Sequence, residues 1–338
     1  EYREFIWPIM ALFAVALVLT AVNFYRTIAD RETDAIYISN WWILAAVLWT
    51  LTLATVAYLP GYQEGIGQTI IQGYYMHQGV GMWFTPMVLG LTYYFLPRLL
   101  NKPIYSYALG ILAFWTQLLF YTMIGSHHFV FAPIPWWLQT VAIIFSIGMV
   151  VPVIAGTTNF ALTMRGAWQT IRRSFALPFV LVGVIFYLVG SLQGSIEALR
   201  TANLYWHFTN FTVGHSHLTM YGFVGFLICG AMYGLLPRLS GREQPHQLVG
   251  FHFWFALVGL LIYGVSMSVG GTIQGATWMS DAPFMESVRK MAPYWVWRGV
   301  GGTFMFVAHL VFAWNLYAMW PRGETESTTS MDEEVDHG

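Results

Sequence analysis

Long apolar stretches constrain the fold of this chain more than any other feature of its sequence. About nine of them run for roughly 20 residues or more with few charged side chains, and a helix of about 20 apolar residues crosses the hydrocarbon core of a bilayer. Backbone polar groups find no partners in lipid, so spanning segments of this kind form helices. The sequence therefore predicts an all-α, polytopic membrane helix bundle with about nine transmembrane helices. The predicted spans are Phe5–Tyr25, Asn40–Leu59, Tyr74–Pro97, Tyr105–Ala132, Trp136–Met164, Leu177–Ala198, Phe208–Pro237, Leu248–Trp278 and Tyr294–Trp320.

The composition agrees with a membrane protein and argues against other classes. Of the 338 residues, 57% are hydrophobic and 9% are charged, which excludes an ordinary soluble domain. The net charge of −1, without a basic run, gives no case for nucleic-acid binding. Residues 1–321 are predicted to form one transmembrane core, and residues 322–338 a disordered polar tail in the cytoplasm.

The basic residues of the loops predict the orientation, because Lys and Arg are enriched in cytoplasmic loops. Alternate connections carry ten of the fifteen basic residues, so these connections are predicted to be cytoplasmic and the others to lie outside. The sequence begins at Glu1 rather than Met, and we expect it to be part of a longer product or a piece of a split subunit. The ten basic residues are Arg26, Arg31, Arg98, Lys102, Arg165, Arg172, Arg173, Arg238, Arg242 and Arg322.

Two histidines set two residues apart, His215 and His217, stand in an apolar run. On a helix, residues with this spacing point about 200° away from each other, so the two imidazoles cannot bind one ligand. Two flat metal cofactors on opposite sides of the helix explain the spacing, since neutral imidazole is a common axial ligand of haem iron. The alternative is that both are hydrogen-bonded core histidines.

Three more histidines, His77, His127 and His128, fall at a similar depth. Under the predicted orientation His77 opens its span from the outside, and all five histidines lie in the outer part of the membrane, where ionisable residues mark function. His127 and His128 are adjacent, so both reach one metal only if the helix ends or distorts there. The glycine and serine before them and the two prolines after them permit this. Three imidazoles with an open position suit copper, zinc or non-haem iron.

Four segments rich in histidine and tyrosine carry a further signal, namely Tyr74–Gly81, Pro103–Tyr107, Tyr121–His128 and Thr212–His217. Together they resemble the haem-copper oxidase superfamily, and within it most closely the catalytic subunit I of the C-family, the cbb3-type cytochrome c oxidases. The resemblance covers the chain up to Trp320. It implies a fold of twelve helices, of which this sequence matches the last nine and lacks the first three.

The resemblance implies a metal for each of the five histidines. His77, His127 and His128 would bind copper B, and His215 would be the proximal ligand of a high-spin, b3-like haem b. His217 would be one axial ligand of a low-spin haem b. The second axial histidine of that haem belongs to the missing N-terminal helices, so we expect those helices or a separate chain to supply it.

The resemblance also implies roles in the chemistry. Tyr121 matches a tyrosine that is covalently linked to the first copper ligand, here His77, and whose phenol supplies an electron and a proton to bound oxygen. On a helix, Tyr121 is expected nearly two turns inward from the adjacent copper histidines. Tyr107, Tyr187 and Tyr121 match the family's single proton pathway from the cytoplasm. Gln193 stands where the family has a glutamate near the proximal histidine, and its neutral amide predicts a higher haem potential.

Other polar positions bear on haem binding and proton transfer. His207, Asn210, Arg200 and Arg298 are candidates for holding the haem propionates, since arginine pairs well with carboxylates. Arg200 could equally be a residue of the lipid interface. Gly110 replaces a hydroxyl residue that is expected along the proton route, which predicts a rewired path.

Two positions favour oxygen over nitric oxide as the substrate. Nitric oxide reductases of the superfamily carry a glutamate four residues after the first metal histidine and lack the active-site tyrosine, whereas this sequence has Gly81 and Tyr121. The predicted function is that of a cytochrome c oxidase, which reduces O2 to water with coupled proton uptake and translocation. The alternatives are a nitric oxide reductase with a centre of haem and non-haem iron, and a transporter or channel with a histidine-lined pore.

Electrons are expected to come from partner subunits. The sequence has no Cys-x-x-Cys-His motif for haem attachment, and its single cysteine is Cys229. The resemblance implies that cytochrome c-type haem subunits deliver the electrons from the outside. It also implies a multi-pass protein of the bacterial inner (cytoplasmic) membrane.

Overall fold

The structure, a computed structural model, describes residues 5–58, 64–242 and 245–320. Within these ranges the chain forms helices joined by short turns, and no strand occurs in them. The predicted all-α class is therefore confirmed. The predicted polar tail, residues 322–338, lies outside the described residues.

Fourteen α-helices follow one another along the described ranges. Three helical turns between them are not α-helical: two are π-helical, Val80–Phe84 and Leu218–Gly225, and one is a 3₁₀ turn, Gly125–Phe129. In chain order the helices are α1 (Trp7–Ala29), α2 (Ile38–Tyr58), α3 (Gly65–Gly79), α4 (Thr85–Leu100), α5 (Tyr107–Ile124), α6 (Trp136–Gly148), α7 (Val150–Met164), α8 (Trp168–Arg173), α9 (Leu177–Glu197), α10 (Arg200–Trp206), α11 (Asn210–His217), α12 (Phe226–Ser240), α13 (His246–Trp278) and α14 (Phe284–Ala318).

Eight helical stretches of the described chain are long and apolar enough to cross a membrane, and each overlaps one predicted span. The predicted third span falls in the helical run 65–100, which is not among the eight, so the count of nine stays a prediction. This run begins at Gly65 rather than at Tyr74, because its first turns carry glycine and glutamine, which lower hydropathy without ending a helix. His77 therefore lies well inside the run rather than at its opening, where it was predicted.

Close packing against α13 positions α11, the helix that carries the paired histidines. A Cβ atom at Gly275 would overlap the backbone oxygen of Tyr205, and one at Gly271 would overlap the backbone nitrogen of Phe211. Glycine, which lacks that atom, lets α10 and the start of α11 lie directly on α13. The side chain of Gln274, between these glycines, accepts a hydrogen bond of 2.8 Å from the backbone of α11, which fixes where α11 begins.

One side chain organises the turn between α5 and α6. Gln139 accepts a hydrogen bond of 2.9 Å from the backbone N–H of Phe131. Its amide nitrogen donates to the carbonyls of Ala132 (3.3 Å) and Ile134 (3.2 Å). Pro135 directly precedes α6. The chain thus reverses within a few residues, and α5 packs beside α6 with the 3₁₀ turn held at their shared end.

Candidate functional site

The structure brings together His77 of α3 and both histidines of the 3₁₀ turn, His127 and His128. One nitrogen from each ring lies within 4.8 Å of the other two. The ring centroids are separated by 4.5 Å between His77 and His127, and by 4.8 Å between His77 and His128. Among the described residues, no other group of three or more His, Cys, Asp or Glu side chains has ligand atoms this close.

The 3₁₀ turn explains how two adjacent residues face one site. The α-helical part of α5 ends at Ile124, and the chain tightens into the turn Gly125–Phe129. In a regular α-helix the side chains of His127 and His128 would diverge by about 100°. Their ring centroids are instead 4.7 Å apart. The prediction that the helix ends or distorts at this point is confirmed.

Hydrogen bonds leave nitrogen atoms of this cluster free for a metal. The Ser146 hydroxyl donates to a carbonyl of its own helix, so His127 Nδ1 donates to Ser146 Oγ, at 2.8 Å. His77 Nδ1 donates to Gln78 Oε1, at 3.2 Å. The Nε2 atom of His128 is buried without a hydrogen-bond partner. A buried nitrogen without a partner is costly. The three neutral imidazoles of the cluster, His128 included, fit the coordination preferences of copper or non-haem iron.

Tyr121 lies beside His77. The two ring centroids are 5.2 Å apart and the ring planes differ by 17°. A Cβ atom at Gly81 would overlap the Tyr121 ring, so the phenol fills the space that a larger side chain at this position would need. Gln117 donates to the carbonyl of Gly81 at 3.1 Å, and Gln78 donates to the carbonyl of Tyr121. Although helix rise separates Tyr121 from the adjacent histidines, the neighbouring helix brings His77 to its ring.

A cavity of about 400 Å³ adjoins this cluster. Its lining includes the three clustered histidines, and His215 of α11 as well. The walls are mostly apolar, with a few polar groups, which is typical of a cofactor site. Imidazoles from the 3₁₀ turn and from α11 thus border one cavity, as a centre with two metals would require.

The two histidines of α11 lie in different surroundings, as their spacing predicts. His215 lines the cavity, and its Nδ1 donates to Gln193 Oε1 at 3.3 Å. His217 is absent from the lining residues of that cavity; its Nδ1 donates to the carbonyl of Val213 at 2.8 Å, and its ring stacks on Tyr263 at 4.2 Å. In both rings Nδ1 is the donor, so Nε2 is the atom available to a haem iron. Gln193 occupies the position beside His215 that was predicted for it.

The three tyrosines of the predicted proton pathway are not brought together as one group. Tyr187 is buried and lines the same cavity as Tyr121. The hydroxyl of Tyr187 donates to the carbonyl of Pro152 at 3.4 Å. Tyr107 is exposed, and its hydroxyl donates to the carbonyl of Ile36 at 3.0 Å. Tyr107 therefore lies outside the cavity, at the end of α5 where a route from the cytoplasm would start.

A buried polar pair that sequence reasoning missed lies next to Gly110. A Cβ atom at Gly110 would lie 3.6 Å from the Tyr93 hydroxyl. Asn159 donates to that hydroxyl at 3.2 Å, and its own side-chain oxygen accepts from the backbone N–H of Ser106 at 2.9 Å. Tyr93 and Asn159 are both buried. They place hydroxyl and amide groups beside the position where the sequence lacks the expected hydroxyl residue.

Only one of the four predicted propionate-binding residues, His207, lines the cavity. Its ring centroid is 6.4 Å from that of His128. Burial lowers the pKa of His207, which favours a neutral imidazole. Arg200 instead donates to Thr140 Oγ1 at 2.9 Å and lies over the Trp136 ring at 3.8 Å.

The other two candidates, Asn210 and Arg298, do not line the cavity. Asn210 donates from its side chain to Gln274 Oε1 at 2.8 Å. The Arg298 guanidinium lies 5.9 Å from the ring centroid of Tyr263, the residue on which His217 stacks. Arg298 therefore stands near the second candidate haem ligand rather than near the cavity.

Sequence reasoning also missed Glu197 and Asn203. Both are buried, both line the cavity, and each has one side-chain oxygen without a hydrogen-bond partner. The signal was present in the sequence, because Glu197 is a lone acid at the end of an apolar span, one helical turn after Gln193.

The chain is similar to known proteins along most of its length. The chain is 34% identical over 335 residues to the cbb3-type cytochrome c oxidase subunit CcoN1 of Stutzerimonas stutzeri, covering 94% of this chain and 71% of that protein. It is 32% identical over 338 residues to cytochrome c oxidase subunit 1 of Rhodobacter capsulatus, covering 94% of this chain and 64% of that protein. The chain thus spans roughly two thirds of the length of these relatives.

A solved structure shows the same fold. A haem-copper terminal oxidase dimer, determined by cryo-electron microscopy, superposes with a TM-score of 0.66 at 19% identity, covering 90% of this chain and 56% of that one. The family model for cytochrome c and quinol oxidase polypeptide I matches residues 1–304. With this match along most of its length, and with clustered histidines beside one cavity, the chain belongs to the cytochrome c and quinol oxidase polypeptide I family.

Proposed function

We propose that this chain is the catalytic core of a terminal oxidase that reduces O2 to water with electrons from cytochrome c. The observation that carries the proposal is the Tyr121 ring, which stacks on His77 beside the three-histidine cluster. A phenol at this position is a source of a proton and an electron close to where a diatomic ligand would bind. In this proposal proton uptake from the cytoplasm, and proton translocation, accompany the reaction.

The residues of the site fit the cofactors of such an enzyme. His77, His127 and His128 would hold copper B, His215 would hold a high-spin haem b, and His217 would hold a low-spin haem b. When bound, the haem and the copper would supply the electrons that cleave oxygen, apart from the one that comes from the phenol. The orphaned Nε2 atom of His128 and the free ligand nitrogens of the other rings support this assignment.

The protein's own groups orient the ligands and move protons. Ser146 and Gln193 each accept a hydrogen bond from Nδ1 of a ligand histidine, which fixes the ring and its tautomer. Because a buried centre cannot hold added electrons without compensating charge, protons must enter as electrons do. Tyr187 and Tyr121, both on the cavity wall, are the groups through which they reach the site.

Partners complete the enzyme in this proposal. Cytochrome c-type haem subunits deliver electrons, and further N-terminal helices or a separate chain supply the second ligand of the low-spin haem. The eight apolar spans and the bacterial relatives support a multi-pass location in the bacterial inner membrane.

A nitric oxide reductase with non-haem iron is disfavoured by the packing at Gly81. A glutamate at that position would need space that the Tyr121 ring occupies. The Tyr121 phenol and a carboxylate side chain at position 81 would therefore occupy the same space, and this chain has the phenol.

Oxygen consumption by the protein purified with its partner subunits tests the proposal. Reduced cytochrome c is the donor, and metal analysis and a carbon monoxide difference spectrum are recorded on the same sample. We expect oxygen uptake, copper, a carbon monoxide-binding high-spin haem and a second, low-spin haem. Iron without copper, with nitric oxide rather than oxygen consumed, would establish the reductase instead. A colourless preparation would refute both redox functions and leave the channel.

A further inference from the structure

Glu197 is a carboxylic side chain for which the proposed chemistry has no role so far. It is the last residue of α9, it is 8% exposed, and among the described residues that line the cavity it is the one that carries a carboxyl group. Tyr187, also on α9 and on the cavity wall, precedes it by ten residues, or roughly 15 Å of helix rise. The cavity therefore extends along α9 between a phenol and a carboxyl group.

Within the part of the chain that the structure describes, Glu197 forms no ion pair with a basic side chain. Its Oε1 atom is buried without a hydrogen-bond partner, and the nearby Thr212 hydroxyl donates to the carbonyl of Trp206 at 3.1 Å. Arg200, three residues further on, is directed to Thr140 and to the Trp136 ring instead.

Other polar groups near Glu197 come from the neighbouring elements. From α10, Asn203 donates to the backbone carbonyl of Glu197 at 3.3 Å, while the side-chain oxygen of Asn203 has no partner. Other titratable side chains line the cavity together with Glu197. They are His207 after α10, His215 on α11, the three clustered histidines, Tyr121 and Tyr187.

A buried carboxylate without a cation carries a high free-energy cost, and binding a proton removes that cost. An electron that entered a neighbouring metal site would add negative charge beside the same cavity and would raise this cost further. The carboxyl group is therefore placed to change its protonation when the site changes its oxidation state.

We propose that Glu197 is a proton acceptor of the catalytic cavity and that it passes protons towards the outer face. The inference rests on the proposed oxidase function and on the orientation that the loop charges predict, in which α9 ends outside. A hydronium ion in the cavity gives its proton to a carboxylate oxygen: one O–H bond of the hydronium breaks, one forms on the carboxyl group, and a water molecule remains. The O–H bond of the carboxyl group later breaks and the proton leaves towards His207 and the outer surface. No electron moves in either step.

The Glu197→Gln variant tests this role, because it keeps the shape and an acceptor oxygen but cannot bind the proton. The first measurement is the infrared difference spectrum between the reduced and oxidised forms of the whole complex, in water and in deuterium oxide. The wild type is expected to show a carboxylic-acid C=O band that shifts in deuterium oxide, and Glu197→Gln is expected to lack it.

The second measurement is proton release per electron from complexes in sealed vesicles. In Glu197→Gln the release is expected to fall, while oxygen consumption falls by less than about tenfold; loss of a group that is needed in the chemistry itself costs about 10²–10⁴-fold. The matched control is Glu286→Gln, also at the end of a helix on the predicted outer side. Glu286 pairs with Arg289 and Lys290 and is partly exposed. Its replacement is therefore expected to leave the carboxylic-acid C=O band and the proton release per electron unchanged.

Retention of both the band and the proton release in Glu197→Gln would overturn the proposal. If that variant does not assemble, Glu197→Asp decides, because a different carboxyl group moves the C=O band; a band at the wild-type position would refute the assignment. Haem content and oxygen uptake of the wild type are measured first. Their absence would contradict the oxidase function itself, which is a result separate from any outcome at Glu197.

Discussion

Replacing Gly81 by alanine is expected to disable oxygen reduction by displacing the Tyr121 ring. The added Cβ atom would overlap that ring, closer than any real contact between carbon atoms. Overpacking of this kind costs about 1–3 kcal/mol, and the loss of the His77 stack about 0.5–1.5 kcal/mol. Alanine regains roughly 0.5–1 kcal/mol of helix propensity, so the net destabilisation is about 0.5–4 kcal/mol.

The effect on activity is expected to exceed the effect on stability. A phenol that moves away from His77 no longer supplies its proton at the site, and removal of a positioned proton donor costs about 10²–10⁴-fold in rate. The assay is oxygen consumption with reduced cytochrome c, compared with the carbon monoxide difference spectrum of the same sample. We expect turnover to fall at least about 100-fold while the haem spectra stay close to those of the wild type.

Gly79→Ala is the matched control, since Gly79 lies two residues earlier in the same helical run. A Cβ atom there would meet no other atom within 4 Å. This variant is expected to keep its turnover and to gain slightly in stability. If Gly81→Ala turned over like Gly79→Ala, the argument that the phenol must occupy this space would be wrong.

Three other predictions concern single side chains of the site. Tyr121→Phe is expected to lose oxygen turnover with near-normal haem spectra, and retained turnover would contradict the role of the phenol. Gln193→Glu places a carboxylate 3.3 Å from His215 Nδ1; a stronger hydrogen bond of about 1–2 kcal/mol lowers the midpoint potential of the high-spin haem by roughly 40–90 mV, as redox titration would show. An unchanged potential would mean that this contact does not tune the haem. His217→Leu is expected to remove the low-spin signal from the reduced-minus-oxidised spectrum and to leave carbon monoxide binding intact, whereas loss of both signals would argue against two separate sites.

The spacing of the histidines was enough to predict much of the site. His215 and His217 diverge because two residues of helix rotate by about 200°, and the structure places them in different surroundings. The adjacency of His127 and His128 required a break in the helix, and the break occurs at the glycine that directly precedes Ser126. Local geometry along one helix can be derived from sequence, because it depends on rotation and rise per residue alone.

Contacts between helices could not be derived in the same way. The stack of Tyr121 on His77, and its exclusion of a side chain at Gly81, depend on how α3 and α5 pack in three dimensions. Without the resemblance, Tyr121 is one of many aromatic residues in an apolar helix. Glu197 is a related case: as a lone acid at the end of an apolar span it stands out in the sequence, but the cavity that it lines depends on how the helices pack.

The departures from α-helical geometry coincide with the candidate ligands. In the described ranges, one π-helical turn begins at Val80, three residues after His77, and the other begins at Leu218, directly after His217. The 3₁₀ turn contains the remaining copper candidates. Such turns have weaker hydrogen-bond geometry than an α-helix and occur often at functional sites, because they redirect side chains that a regular helix would separate. The same argument explains why regular hydrophobic periodicity finds the spans of this protein but does not, by itself, find the geometry of its site.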